Sequence, residues 1–76
     1  MSPWKPVKRR DFIKKLRKLG FQGPVYGKRH EVMIFHQKRL AIPSYAEYTV
    51  DKTKEIVREV ETILGGEISM NEWNSL

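Results

Sequence analysis

Residues 21–43, FQGPVYGKRHEVMIFHQKRLAIP, decide the fold of this chain, because they contain three short extended segments in succession. The predicted strands cover residues 25–26, 30–36 and 39–42. Gly27 and Lys28 read as the first hairpin turn, residues 37–38 as a second turn, and Pro43 ends the last strand. Valine, isoleucine and phenylalanine cluster in the central segment, as is typical of a strand. The stretch predicts a three-stranded antiparallel sheet.

The central strand of this predicted sheet has two apolar faces. Residues 30, 32, 34 and 36 share one face, and residues 31, 33 and 35 share the other. Val32 and Ile34 are as suited to burial as Met33 and Phe35. The sequence therefore leaves open which face meets the rest of the domain.

A helix is predicted before the sheet, over residues 8–19. Phe12, Leu16 and Leu19 follow the spacing i, i+4, i+7, which places them on one helical face. Gly20 stands directly after the last apolar position, where a helix commonly ends in glycine. The helix therefore offers one apolar face to the sheet.

A second helix is predicted after the sheet, over residues 51–64, and Gly65–Gly66 ends it. Its apolar stripe repeats with the helical period and contains Ile56, Val57, Val60, Ile63 and Leu64. Residues 69–72, SMNE, match a capping box and predict a last short helical turn. The expected fold class is α+β, in the order α-β-β-β-α with both helices on one face of the sheet. We expect a flexible arm over residues 1–7 and a single domain over residues 8–76.

The composition limits what this domain can be. The chain has 76 residues and a net charge of +6, with twelve basic and two acidic side chains in residues 1–40 and three basic and seven acidic ones thereafter. A chain this short has room for one small core, which excludes a two-domain enzyme or an enclosed cofactor site. It has no cysteine and no long apolar run. We expect a soluble cytoplasmic protein with neither a metal site nor a cofactor, whose basic half binds a polyanion.

The basic residues are concentrated on the first helix and on the turn before His30. The predicted phosphate-binding residues are Lys8, Arg9, Arg10, Lys14, Lys15, Arg17, Lys18, Lys28 and Arg29. On the helix, only Asp11 opposes them. A-form RNA is recognised largely through its phosphates and 2′-hydroxyls, so such a surface indicates RNA binding.

His30 is the candidate catalytic residue. Cleavage of RNA without a metal needs a group that accepts the proton of the 2′-hydroxyl or protonates the leaving 5′-oxygen, and the ordinary pKa of histidine suits both tasks. Lys28 and Arg29 could stabilise the charge that develops on the phosphorus centre. His36 lies at the far end of the same strand, too far away to share one phosphodiester, and is interpreted as a surface or turn residue.

Three segments together resemble the HicA (YcfA-like) toxin family. They are KRRDFIKKL at residues 8–16 with LGF at 19–21, YGKRH at 26–30, and LAIP at 40–43. The similarity extends over roughly residues 8–64 and depends on the order and spacing of the segments. In the hairpin, Lys28 and Arg29 stand where the family usually has small residues.

The resemblance implies a fold like that of double-stranded-RNA-binding domains. It also implies a type II toxin that cleaves mRNA and is inhibited by a HicB-type antitoxin, with His30 at the position of the family's active histidine.

Two alternative functions stay open at this point. One is a non-catalytic double-stranded-RNA-binding module of the same fold, and the other is a subunit whose basic face binds an acidic protein.

Overall fold

The computed structural model describes residues 4–76 and confirms the α+β class. In chain order the elements are β1 (Val7–Lys8), α1 (Arg9–Lys18), β2 (Gln22–Tyr26), β3 (Glu31–Phe35), β4 (Lys38–Ile42), β5 (Glu47–Tyr48), α2 (Val50–Leu64) and α3 (Met70–Ser75). Strands β2, β3 and β4 form an antiparallel sheet in that order, so the predicted succession of helix, three strands and helix is present.

The first helix ends as its sequence predicts. Gly20 has a φ of +108°, in the left-handed region that favours glycine. Its amide donates to the carbonyl of Arg17 at 3.0 Å, and the amide of Phe21 donates to the carbonyl of Leu16 at 3.0 Å. These two bonds form a Schellman motif, which satisfies carbonyls at the helix end and turns the chain into β2.

The register of the sheet shows which face of β3 meets the helices. Met33 pairs with Leu40 and both are buried, whereas Val32 pairs with Ala41 on the opposite, open face. On that open face Val32 and Ile34 are half-buried. The face that carries Met33 therefore contributes to the core, together with the apolar stripes of α1 and α2.

Aromatic side chains occupy the centre of this core. Phe12 lies between Tyr48 and Trp73, with ring centroids 5.3 and 4.8 Å away. Trp73 belongs to α3, which begins at a complete capping box formed by Ser69 and Glu72. The short C-terminal helix is thus fixed at its start by side-chain hydrogen bonds and along its length by burial of the indole.

The structure differs from the sequence predictions at the ends of the domain. Val7 pairs with Tyr48 in a two-stranded sheet of β1 and β5 that was not predicted, so ordered structure begins before Lys8. Trp4 packs against Trp73 at 6.5 Å between ring centroids, so part of the predicted arm contacts the domain. Residues 1–3 of that arm lie outside the described residues. The second turn falls at residues 36–37 rather than 37–38, and His36 adopts a φ of +56°.

Within residues 4–76, the helices are too short or too polar to cross a lipid bilayer.

Candidate nucleic-acid interface

The loop that carries His30 joins β2 to β3 over residues 27–30. It is closed by one backbone hydrogen bond, in which the amide of Gly27 donates to the carbonyl of His30 at 2.9 Å. Lys28, Arg29 and His30 are all exposed. The loop therefore presents two basic side chains and an imidazole to solvent at one end of the sheet.

This loop forms one wall of a surface hollow of about 500 Å³, which we call the His30 hollow. Its lining residues are Arg9, Tyr26, Arg29, His30, Glu31, Ile42 and Ser44. Three of them come from the strands of the sheet, two come from the loop, and α1 supplies Arg9 from its first turn. Two guanidinium groups and one imidazole thus surround a single open space.

Arg9 is held in the His30 hollow by two interactions. Its Nε donates to the carbonyl of Pro43 at 3.1 Å, and its Nη2 forms an ion pair with the carboxylate of Glu31. The backbone amide of Arg9 also donates to the carbonyl of Ala46 at 2.9 Å. The start of α1 is therefore joined to the first residue of β3 and to the connection between β4 and β5.

His30 also borders a second hollow of about 330 Å³, which we call the Tyr45 hollow. Its lining residues are His30, Ala41, Ile42, Pro43, Tyr45, Lys52, Glu55, Ile56 and Glu59. The side near β4 is mostly apolar, and the side near α2 carries one lysine and two glutamates. The imidazole of His30 thus stands between a hollow rich in arginine and one in which carboxylates outnumber cations.

The lysines of α1 line a separate groove of about 560 Å³ beside α3, which we call the lysine groove. Its basic residues are Lys5, Lys8, Lys14, Lys15 and Lys18. Asp11 and Glu47 are the acidic residues that border it. The excess of positive charge suits a chain of phosphates more than a single small anion.

Besides Arg9, two more of the predicted phosphate-binding residues make contacts within the protein, namely Lys15 and Arg17. The Lys15 ammonium donates to the carbonyl of Trp73 at 2.8 Å and lies 5.4 Å from the centroid of its ring. Burial lowers the pKa of Lys15, the neighbouring charge of Lys18 lowers it further, and Asp11 opposes the shift. Arg17 donates from Nε and Nη2 to the carbonyl of Gly23 at 2.9 and 2.7 Å. These contacts join α1 to α3 and to β2.

The structure therefore divides the predicted site residues between two spaces and leaves three of them outside both. The His30 hollow contains Arg9, Arg29 and His30, and the lysine groove contains Lys8, Lys14, Lys15 and Lys18. Arg10, Arg17 and Lys28 line neither of these spaces. His36 is exposed in the turn after β3, as interpreted from the sequence.

Sequence reasoning missed Lys5, Tyr26, Glu31 and Tyr45 as parts of these spaces. The sequence did contain a signal for placing the two tyrosines in the site. Tyr26 lies in the same five-residue hairpin segment as His30, and Tyr45 lies in a polar connection where nothing would bury it. The sequence contained no such signal for Glu31, because its ion pair with Arg9 joins residues that are distant in sequence.

Gly27 is required for the shape of the His30 loop. A Cβ atom at this position would lie 2.7 Å from the carbonyl oxygen of His30, which belongs to the backbone and cannot move without opening the loop. We expect Gly27→Ala to lower the free energy of unfolding by about 1 to 3 kcal/mol, measured by urea denaturation.

The matched control is Gly66→Ala, because a Cβ atom at Gly66 has no neighbour within 4 Å. This variant should stay within about 0.5 kcal/mol of the wild type. Equal unfolding midpoints for the two alanine variants would show that the loop does not depend on the close approach at Gly27.

The structure combines an exposed imidazole and two arginines in one hollow with a separate cationic groove along α1. An imidazole can accept or donate a proton in a reaction, and guanidinium groups bind phosphate oxygens through charge-assisted hydrogen bonds. The site is thus chemically suited to a phosphodiester. Comparisons of the chain with protein-family models, with curated proteins and with solved structures return no match.

Proposed function

We propose that this protein is an endoribonuclease of the HicA type, a toxin that cleaves mRNA without a metal ion. The observation that supports the proposal best is the His30 hollow, in which an exposed imidazole shares one open space with the guanidinium groups of Arg9 and Arg29. The similarity of residues 8–16, 26–30 and 40–43 to HicA segments points to the same activity.

His30 acts in this proposal as the proton-transfer group. The imidazole accepts the proton of a 2′-hydroxyl, the 2′-oxygen attacks the adjacent phosphorus, and the bond from phosphorus to the 5′-oxygen breaks. The 5′-oxygen leaves with a proton from the imidazolium or from water. Arg29, next to His30 and on the same hollow, faces the negative charge that increases on the phosphate during this step.

Arg9 has a positioning part in the same scheme. Its guanidinium is paired with Glu31 and hydrogen-bonded to the carbonyl of Pro43, so its charge is partly neutralised before RNA binds.

Glu31 is the single carboxylate among the lining residues of the His30 hollow, and its ion pair with Arg9 occupies it. A metal-independent reaction is therefore the better match to these side chains, since divalent cations in nucleases are bound mainly by carboxylates.

A HicB-type antitoxin is the proposed protein partner. Two surfaces could accept it, namely the lysine groove and the open face of the sheet, where Val25 is exposed and Val32 and Ile34 are half-buried. An acidic segment would complement the first surface and an apolar segment the second. A cytoplasmic location follows from mRNA as the substrate.

The test is incubation of the purified protein with mRNA in the presence of a chelator, beside the variant His30→Ala. Cleavage by the wild type alone supports the proposal. RNA binding by both proteins with cleavage by neither would replace it with the alternative, a non-catalytic double-stranded-RNA-binding module. Cleavage by both would remove His30 from the mechanism.

Phosphate binding by the lysine groove leads to a prediction about salt. Lys14 and Lys18 are exposed and lie one helical turn apart, so the double variant Lys14→Gln with Lys18→Gln removes two neighbouring charges without disturbing the core. We expect weaker RNA binding and a salt dependence of log Kd that is shallower by about 0.7 for each phosphate of a single strand that the variant no longer neutralises. Fluorescence anisotropy at several salt concentrations measures both.

The matched control is the double variant Lys54→Gln with Arg58→Gln on α2. These residues are also exposed, also one turn apart, and carry the same total charge. The salt dependence should be unchanged, because α2 carries an acidic outer surface. An equal loss of affinity in both double variants would mean that net charge, rather than the lysine groove, determines binding.

A further inference from the structure

Two exposed tyrosines line the two hollows that His30 borders. Tyr26 is 89% exposed and lines the His30 hollow, and Tyr45 is 63% exposed and lines the Tyr45 hollow. Among residues 4–76, the exposed large apolar or aromatic side chains are these two tyrosines and Val25, which is 42% exposed. Each exposed phenol ring offers a partner a flat apolar face with a polar hydroxyl at its edge.

The two tyrosines come from different parts of the fold. Tyr26 ends β2 and pairs with Glu31, so the first residue of β3 fixes its position beside the loop. Tyr45 lies in the connection between β4 and β5 and lines the Tyr45 hollow, which His30 also borders. The convergence of two exposed rings on the same histidine is therefore a product of the tertiary fold.

The charges of the two hollows favour different parts of a nucleotide: a phosphate in one hollow and a base in the other. The His30 hollow contains Arg9 and Arg29 against Glu31, which favours an anion. The Tyr45 hollow contains Lys52 against Glu55 and Glu59, which disfavours a phosphate but accepts a neutral base with N–H donors. Its floor of Ile42, Pro43 and Ile56 suits a flat apolar surface.

We infer that Tyr26 and Tyr45 are stacking platforms for the two bases that flank the phosphate at His30, and that the substrate is single-stranded RNA. Bases of a single strand can turn out from the backbone and stack on aromatic rings, whereas bases in a duplex are already stacked on their neighbours. This inference rests on the proposed function in its choice of RNA, and it names the substrate class of that site. It separates the protein from duplex-binding domains with the same order of elements.

The experiment measures binding of a short single-stranded oligoribonucleotide and of its duplex, by anisotropy, in a His30→Asn background that leaves the RNA uncut. Tyr26→Ala and Tyr45→Ala should each weaken binding of the single strand about tenfold, with little effect on the duplex. Tyr26→Phe and Tyr45→Phe keep the ring and should bind like the parent. Val25→Ala removes the third exposed side chain, on the open sheet face, and should also have no effect.

A second measurement tests the stacking itself. An oligonucleotide with abasic positions keeps the phosphates but lacks the rings, so it should bind the parent weakly and show no further weakening in the alanine variants. Unchanged binding of the single strand by both alanine variants, or an equal weakening on the duplex, would overturn the inference.

The outcomes also separate this inference from the nuclease proposal. If binding depends on both tyrosines while wild-type protein leaves RNA intact, the stacking platforms stand and the nuclease proposal fails. If wild-type protein cleaves RNA and the tyrosine variants bind and cleave equally well, the stacking platforms fail and the nuclease proposal stands.

Discussion

Replacing His30 with asparagine is expected to slow RNA cleavage by about 100-fold or more, because asparagine cannot exchange a proton near neutral pH. The side chain is exposed and its loop is closed by a backbone hydrogen bond from Gly27, so the fold should persist. Single-turnover cleavage of a labelled oligoribonucleotide gives the rate, and thermal unfolding of the same sample checks the fold. We expect the melting temperature to stay close to that of the wild type.

The matched control is His36→Asn, the same change at the other histidine of the chain. His36 has a φ of +56°, a conformation that asparagine adopts more readily than most residues, so the turn should be retained. Cleavage should proceed at the wild-type rate, since His36 lies at the opposite end of β3 from His30. A full rate in the His30 variant, or a comparable decrease in both, would contradict the role of His30.

Replacing Trp73 with alanine is expected to cost about 3 to 5 kcal/mol of unfolding free energy. The indole is 1% exposed, packs on Phe12 at 4.8 Å between centroids and lies near the Lys15 ammonium. Small domains are stable by only about 5 to 15 kcal/mol, so this loss takes a large share of the total. Urea denaturation followed by circular dichroism measures it, and a variant already unfolded in buffer would agree with the prediction.

Trp73→Phe serves as the graded control. It keeps an aromatic ring against Phe12 and removes the indole Nε1, which is buried without a hydrogen-bond partner among residues 4–76. An unpaired buried donor is unfavourable, so its removal offsets part of the effect of the smaller side chain. We expect less than half of the destabilisation seen with alanine. If alanine and phenylalanine variants unfold at the same midpoint as the wild type, α3 is not part of the cooperative domain.

The main elements were predictable because their signals are local. Both helices have apolar stripes with the correct period and end at glycine, and the capping box at residues 69–72 is a signal of four residues. The pairing of β1 with β5 was not predictable. Each strand has two residues, too few to show a repeating pattern, and Val7 meets Tyr48 only once the rest of the domain has folded. The buried face of β3 likewise depends on the helices that cover it.

The candidate site was predictable only in part, for the same reason. His30 and Arg29 are neighbours in sequence, and the hairpin segment at residues 26–30 identified them. Arg9 reaches the His30 hollow from another element, and Lys15 and Arg17 turn to main-chain carbonyls instead of solvent. A long basic side chain can reach several hydrogen-bond acceptors. The net charge of a helical face does not determine which acceptor each of its side chains binds.

The contacts of Arg9 with Glu31 and Pro43 have a consequence for the order in which the domain assembles. Strands β3 and β4 are joined by two residues, so their hairpin closes with a small loss of chain entropy and holds His30 at its start. Arg9 arrives through the pairing of Val7 with Tyr48, which closes a much longer loop and is therefore slower to form. A nascent or partly unfolded chain would thus carry His30 and Arg29 without Arg9 beside them. The group of charges around His30 is complete only when folding is complete.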